Sequence, residues 1–361
     1  MGIGIKQIAE MAGVAQSTVS HVLNGTAPIS QEVQEKVLDA AKDTGYLDKR
    51  MRRASVSLLT TVLTVASEVT LPKSDRNFVA WNMLNAFRRE CRSRGIRVVP
   101  HIEQSETIDP GNVISSIKKH NPRGVAVIQD ERDELISVLG ELDIGTVILS
   151  GHDPLMRVNT VAPGNRFWAQ IAMRHRVDLG HKDIEHITWS GRHVAQQRSF
   201  GFSDALLQEV LAQSRESIID TGSYHPETVE KYMDEWLSKV GRPLPFTAFF
   251  CGADNVAVGL LRSLQKAGLR VPEDVSVVGF DDAPFSEMED PALTTVHIPM
   301  DEIGRVALNL LEDAAITPRS ARIPKRVDLG CELIVRRSTA PPRRRSEVKK
   351  NEHATHCARR F

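Results

Sequence analysis

Cysteine is scarce in this chain, aromatic residues make up only 5% of it, and its formal net charge is zero. Cys91, Cys251, Cys331 and Cys357 lie far apart with no metal-like pairing. That spacing points away from a zinc site or a disulfide framework and towards reduced thiols, hence a cytoplasmic location. No apolar run approaches the ~20 residues that cross a bilayer, and the start lacks the charged-then-apolar layout of a secretory leader. No membrane partner is expected. Phosphate-loop, nucleophile-elbow and zinc-ligand spacings are missing too. His175, His181 and His186 lie near a helix-to-strand junction without a ligand spacing, and read as solvated or capping side chains. No catalytic residue, metal site or cofactor is expected.

What remains is a soluble composition, 41% hydrophobic and 25% charged over 361 residues, long enough for two or three domains. The charge is unevenly placed. Up to Asp48 the chain has Lys6, Lys36 and Lys42 against Glu10, Glu32, Glu35, Asp39, Asp43 and Asp48, and then the basic cluster Lys49-Arg50-Met51-Arg52-Arg53. Attraction to phosphates therefore falls to that cluster rather than to what precedes it. The end, with Pro341-Pro342, Arg343-Arg344-Arg345, Lys349-Lys350 and Arg359-Arg360, reads as a solvated, disordered tail. It has no leucine heptad for a coiled coil.

The most specific signal lies at the start. Ile5, Ile8, Ala9 and Ala12 recur at helical spacing, Gly13 permits a tight turn, and Val19, Val22 and Leu23 form a second apolar stripe. Gln16, Ser17, Ser20 and His21 occupy the opposite face, short enough to approach base edges and phosphates. A third helix is expected from Ile29 to Gly45, with Ser30 as its N-cap and Val33, Val37, Leu38, Ala41 and Tyr46 facing inward. Two short helices around a glycine form a helix-turn-helix, whose second helix lies in the DNA major groove.

Beyond Leu58 the pattern alternates. Strands are expected at 58–65, 98–102, 124–128, 146–149, 184–189, 247–251 and 275–279, and helices at 81–94, 113–119, 133–142, 167–179, 198–213, 226–240 and 255–266. Such alternation gives parallel sheets with crossover helices, which bind ligands beyond the carboxyl ends of their strands.

The blocks Ala12-Gly13-Val14, Ser17-Thr18-Val19-Ser20, Val22-Leu23-Asn24-Gly25, Val37-Leu38-Asp39-Ala40-Ala41 and Gly45-Tyr46 resemble the lactose/galactose repressor (LacI/GalR) family of bacterial transcriptional regulators. So do Gly268 to Asp282 and Pro291 to Val296, and the resemblance runs from about Ile5 to about Pro341. It implies an all-α helix-turn-helix head and an α/β effector domain of two doubly wound lobes, like periplasmic sugar-binding proteins. The expected divisions are a head at 1–47, a basic hinge at 48–57, an effector and dimerisation domain at 58–341 and a tail at 342–361. The function implied is repression: a homodimer binds a palindromic double-stranded operator under control of a small-molecule effector. A periplasmic-type solute-binding protein, or an enzyme of the same fold, is the alternative.

Carried onto this chain, the resemblance and the helix face together assign Gln16, Ser17 and His21 to base reading and Thr18, Ser20 and Asn24 to phosphates. His21 stands where arginine is common and Ala15 where serine is. In the hinge Arg53 is kept, but Ser55 replaces the leucine that wedges into the minor groove, which predicts weaker operator bending. For the effector the resemblance implies Arg198, Tyr224 and Asp281. It also implies an asparagine where this chain has Ala253 and an aspartate where it has Ser150. Unmatched buried polar groups cost ~1–3 kcal/mol each, so these losses point to a ligand that is sugar-like but atypical. The segment Glu68 to Phe78 is longer than the family's usual turn and predicts a reshaped pocket mouth.

Overall fold

The computed structural model describes residues 5–24, 29–43, 59–68, 78–208 and 218–343. The first two stretches form three helices, α1 (Ile5–Ala12), α2 (Gln16–Asn24) and α3 (Gln31–Asp43). Ile8, Val19, Val37 and Ala41 are fully buried between them, with Ile5, Ala12, Val14, Val22, Leu23 and Val33 packed around. Gly13 has φ +65°, and the Val14 N–H donates to the Ala9 carbonyl at 3.0 Å. That is the Schellman bond that ends α1 and sets the bend. Leu38's side chain and residues 44–58, which include Tyr46 and the whole hinge, lie outside the described residues.

The remainder is two lobes. The first holds a six-stranded parallel sheet in the order β11-β5-β4-β3-β1-β2, built from β1 (Thr61–Ser67), β2 (Arg97–Glu103), β3 (Gly124–Ile128), β4 (Gly145–Leu149), β5 (Asn159–Pro163) and β11 (Arg326–Leu329). Its central strands are apolar at every position because helices cover both faces. Val125 and Val127 pack towards α5 (Pro110–His120) and α6 (Asp133–Glu141). Ala126 and Ile128 pack towards α4 (Phe78–Ser93) and α12 (Met300–Ile316).

The second lobe has a four-stranded parallel sheet, β7-β6-β8-β9, from β6 (Ile184–Thr188), β7 (Ile218–Asp220), β8 (Ala248–Cys251) and β9 (Ser276–Val278). On one face lie α9 (Pro226–Lys239) and α10 (Asp254–Lys266); on the other, α7 (Asn165–Asp178) and α8 (His193–Gln208). A short α11 (Pro284–Met288) and an antiparallel pair, β10 (Thr295–His297) with β12 (Glu332–Ile334), complete it. The chain passes between lobes from β5 to α7, from β10 to α12, and from β11 to β12. The strand ends of both sheets therefore face one cleft with these crossings beside it. Among the described residues no helix is long and apolar enough to cross a membrane.

Candidate DNA interface and ligand cleft

On α2 the three expected base readers, Gln16, Ser17 and His21, are exposed, while Thr18 and Ser20 are half-buried beside buried Val19. The Ala15 carbonyl accepts from the Val19 N–H at 3.1 Å, so Ala15 holds the N-cap position with no side-chain oxygen to offer. Asn24 ends the helix; its side chain and all of Arg53 lie outside the described residues.

In the cleft, the structure brings Arg198, Tyr224 and Asp281 to the wall of one cavity of about 50 Å³. The same wall includes Ser150 and Ala253, the two positions that depart from the family pattern, together with Gln129, Arg192 and Asn255. Arg198 does not open its helix as expected. The helix begins at His193, and Arg198 lies in its second turn, which carries the guanidinium inward to the crossings. There its Nε donates to Asn165 Oδ1 at 2.9 Å, and its Nη1 donates to the Gly252 carbonyl at 2.6 Å and to Asp281 Oδ1 at 3.1 Å. The guanidinium lies 3.8 Å from the centroid of the Phe280 ring. Arg198 thus ties the first crossing to the ends of β8 and β9.

Burial pushes the Asp281 carboxyl up to about 7, against the opposing pull of Arg198. Asp254 is fully buried but does not meet Arg198. It accepts from the Ala283 N–H (2.9 Å), Ser286 Oγ (2.6 Å) and Thr295 Oγ1 (2.6 Å), bracing the loop that presents Asp281. Tyr224 sets its ring edge-on to Trp189, with centroids 5.4 Å apart, and burial raises its phenol.

Arg192 was not among the expected residues. It ends the loop after β6, crosses the cleft, and donates to Gln129 Oε1 at 2.9 Å and to the Ser150 carbonyl at 3.1 Å. Both acceptors belong to residues at left-handed φ, 56° for Gln129 and 54° for Ser150, and Asp281 has φ 129°. Non-glycine residues held there cost about 1–3 kcal/mol each, and such conformations cluster at ligand sites. The position of Arg192 was open to inference: it lies between the carboxyl end of a parallel strand and a helix start, where ligands bind.

The expected histidines are built into the second lobe. His186 lies fully buried against Phe202 and Phe250, and His181 bridges Thr247 Oγ1 and the Ala340 carbonyl. His175 meets Thr339 Oγ1 at 3.3 Å. Cys91 and Cys251 are buried free thiols and Cys331 is a half-buried one; Cys357 lies outside the described residues.

A three-helix unit with an exposed polar second helix, joined in one chain to two hinged lobes around a polar cavity, defines a DNA-binding regulator of the ligand-sensing class. Residues 4–48 match the model for bacterial regulatory proteins, lacI family, and residues 173–339 match that for a periplasmic binding protein-like domain. The HTH-type transcriptional repressor PurR of Escherichia coli O139:H28 is 30% identical over 347 residues, 93% of this chain and 96% of the relative. The transcriptional regulator CelR, solved as a cellobiose complex, is 27% identical with a TM-score of 0.65, covering 93% of this chain and all of that one. The lac repressor dimer bound to operator and the anti-inducer ONPF is 22% identical with a TM-score of 0.65 over 94% of this chain, and shows the shared fold. The chain belongs to the lacI family of bacterial regulatory proteins. It is a DNA-binding transcriptional repressor of the effector-controlled kind, not an enzyme.

Proposed function

We propose that this protein acts in the cytoplasm as a homodimer, placing two copies of α2 in successive major grooves of a palindromic operator. Gln16, Ser17 and His21 read bases; Thr18, Ser20 and Asn24 fix the helix on phosphates; Arg53 adds a contact from the hinge. The exposure of Gln16, Ser17 and His21 on one side of a helix whose other side is buried supports that assignment most directly. The working divisions are a head at 1–47, a hinge at 48–57, an effector and dimerisation domain at 58–341 and a tail at 342–361.

The effector occupies the cavity between the lobes, in contact with Arg198, Tyr224 and Asp281. The convergence of these three residues, distant in sequence, on one cavity beside the crossings supports this reading. A ligand there shifts lobe geometry, and with it the heads, by as much as its affinity differs between the two states. Genome-wide capture of DNA bound by the full chain tests the function: it should recover a palindromic motif with half-sites about one helical turn apart. Capture without a shared motif would refute sequence-specific repression.

A further inference from the structure

We propose that the effector of this cleft carries an anionic group, a carboxylate or a phosphate, and that Arg192 is the residue that selects for it. The inference rests on the reading of the cleft as the effector site and deepens it.

The charge inventory of the cavity carries the argument. Its wall includes two guanidinium groups, Arg192 and Arg198, and one carboxylate, Asp281. Asp281 is committed to Arg198 at 3.1 Å. Arg192 meets only neutral acceptors, an amide oxygen and a backbone carbonyl, and among the described residues no carboxylate pairs with it. Glu131 lies nearby, but its Oε1 accepts the His193 N–H at 2.8 Å. An arginine stays charged in proteins, so the cavity holds a positive charge that is hydrogen-bonded but not neutralised.

The backbone adds to it. The α10 helix starts at Asp254 beside the cavity, and its N-cap Ala253 makes no side-chain cap bond, leaving the positive end of the helix dipole unscreened. The site is also built to hold Arg192 in place, since two left-handed residues at the ends of β3 and β4 supply its acceptors. Only two N–H groups of the fork are used on those acceptors, and the rest can meet a planar carboxylate or a phosphate. A neutral polyol would leave this charge uncompensated in a nearly closed space; an anion compensates it.

Calorimetric titration of the full-length protein with gluconate, glucose 6-phosphate and glucose tests this. At least one of the anions should bind about tenfold or more tightly than glucose, a margin of about 1.4 kcal/mol. Arg192→Gln should remove the margin and Arg192→Lys should restore part of it. The better of the two anions identifies the group as carboxylate or phosphate. The proposal is overturned if neither anion binds more tightly than glucose, or if Arg192→Gln keeps the preference. Ala253→Trp, which fills the cavity, separates the two levels. If it abolishes glucose binding while the anions show no advantage, the effector site stands and the anion selectivity falls. If anion binding survives it, the ligand lies elsewhere and both fall.

Discussion

Gln16 carries an amide that can donate and accept at once, which suits the paired N6 and N7 edge of adenine in the major groove. It is exposed on the first turn of α2, where a recognition helix meets bases. Gln16→Ala should therefore flatten preference at one base pair of each half-site, by about 1–3 kcal/mol. Selection of binding sequences from a random pool would show it; an unchanged motif would remove Gln16 from base reading. Asp254 behaves differently, because its three acceptor bonds are internal and fully buried. Asp254→Ala leaves the Ala283 N–H and the Ser286 and Thr295 hydroxyls without their acceptor, at about 1–3 kcal/mol apiece. Thermal melting without ligand should report that loss directly, and a melting temperature equal to wild type would show the bonds to be dispensable. Two acidic residues of one cleft region thus divide between bracing and binding. The sequence showed Asp281 as the candidate, but not that Asp254 holds its loop.

Among the elements, β3 was legible to the residue, because Gly124 to Ile128 is an apolar run bounded by polar turns. The helices α6, α9 and α10 were legible to within a residue or two, each with an apolar stripe at helical spacing. The short strands β7, β10, β11 and β12 were not. They span only three or four residues, and β11 alternates exposed and half-buried side chains at a sheet edge. β5 and the long helix α12 were also passed over, although Ile303, Ala307, Leu308, Leu311 and Ala314 make a stripe as clear as any other. What no periodicity could reveal is which partner α12 meets. It returns from the second lobe to lie on α4 so closely that a Cβ on Gly304 would stand 2.8 Å from the Phe87 nitrogen and 2.9 Å from the Ala86 carbonyl carbon. Backbone cannot yield as a flexible side chain does, so Gly304→Val should push the helices apart and cost about 1–3 kcal/mol or more. A lowered urea midpoint for the full chain would show this, whereas a midpoint equal to wild type would mean that the two helices can separate freely.

Across the whole molecule, proton binding links the buried groups of the second lobe to stability. Burial pushes His181 and His186 down to about 4. The ring Nδ1–H of His186 donates to the Phe250 carbonyl, which leaves Nε2 to accept from Ser199 Oγ and fixes a neutral ring. Half-buried His193, stacked on His152, is shifted the same way. In the unfolded chain these rings titrate near 6.5. Between about pH 6.5 and 4 the unfolded state therefore binds more protons than the native state, and stability falls as pH falls. Asp281 acts in the opposite sense: its native carboxyl, raised to about 7, takes up protons before the unfolded one does, and acid relieves its burial. Each tenfold change in proton affinity between the two states is worth about 1.4 kcal/mol. His181 and His186 therefore contribute roughly 3 kcal/mol each against roughly 4 for Asp281, so the histidines prevail. The protein should lose a few kcal/mol of unfolding free energy between pH 7.5 and 4.5. His186→Gln should reduce that loss by removing a titrating group, and Asp281→Asn should enlarge it by removing the offset. Urea unfolding of the three proteins at both pH values would decide the matter: parallel pH dependence in His186→Gln and wild type would mean that the buried ring is already charged in the native state.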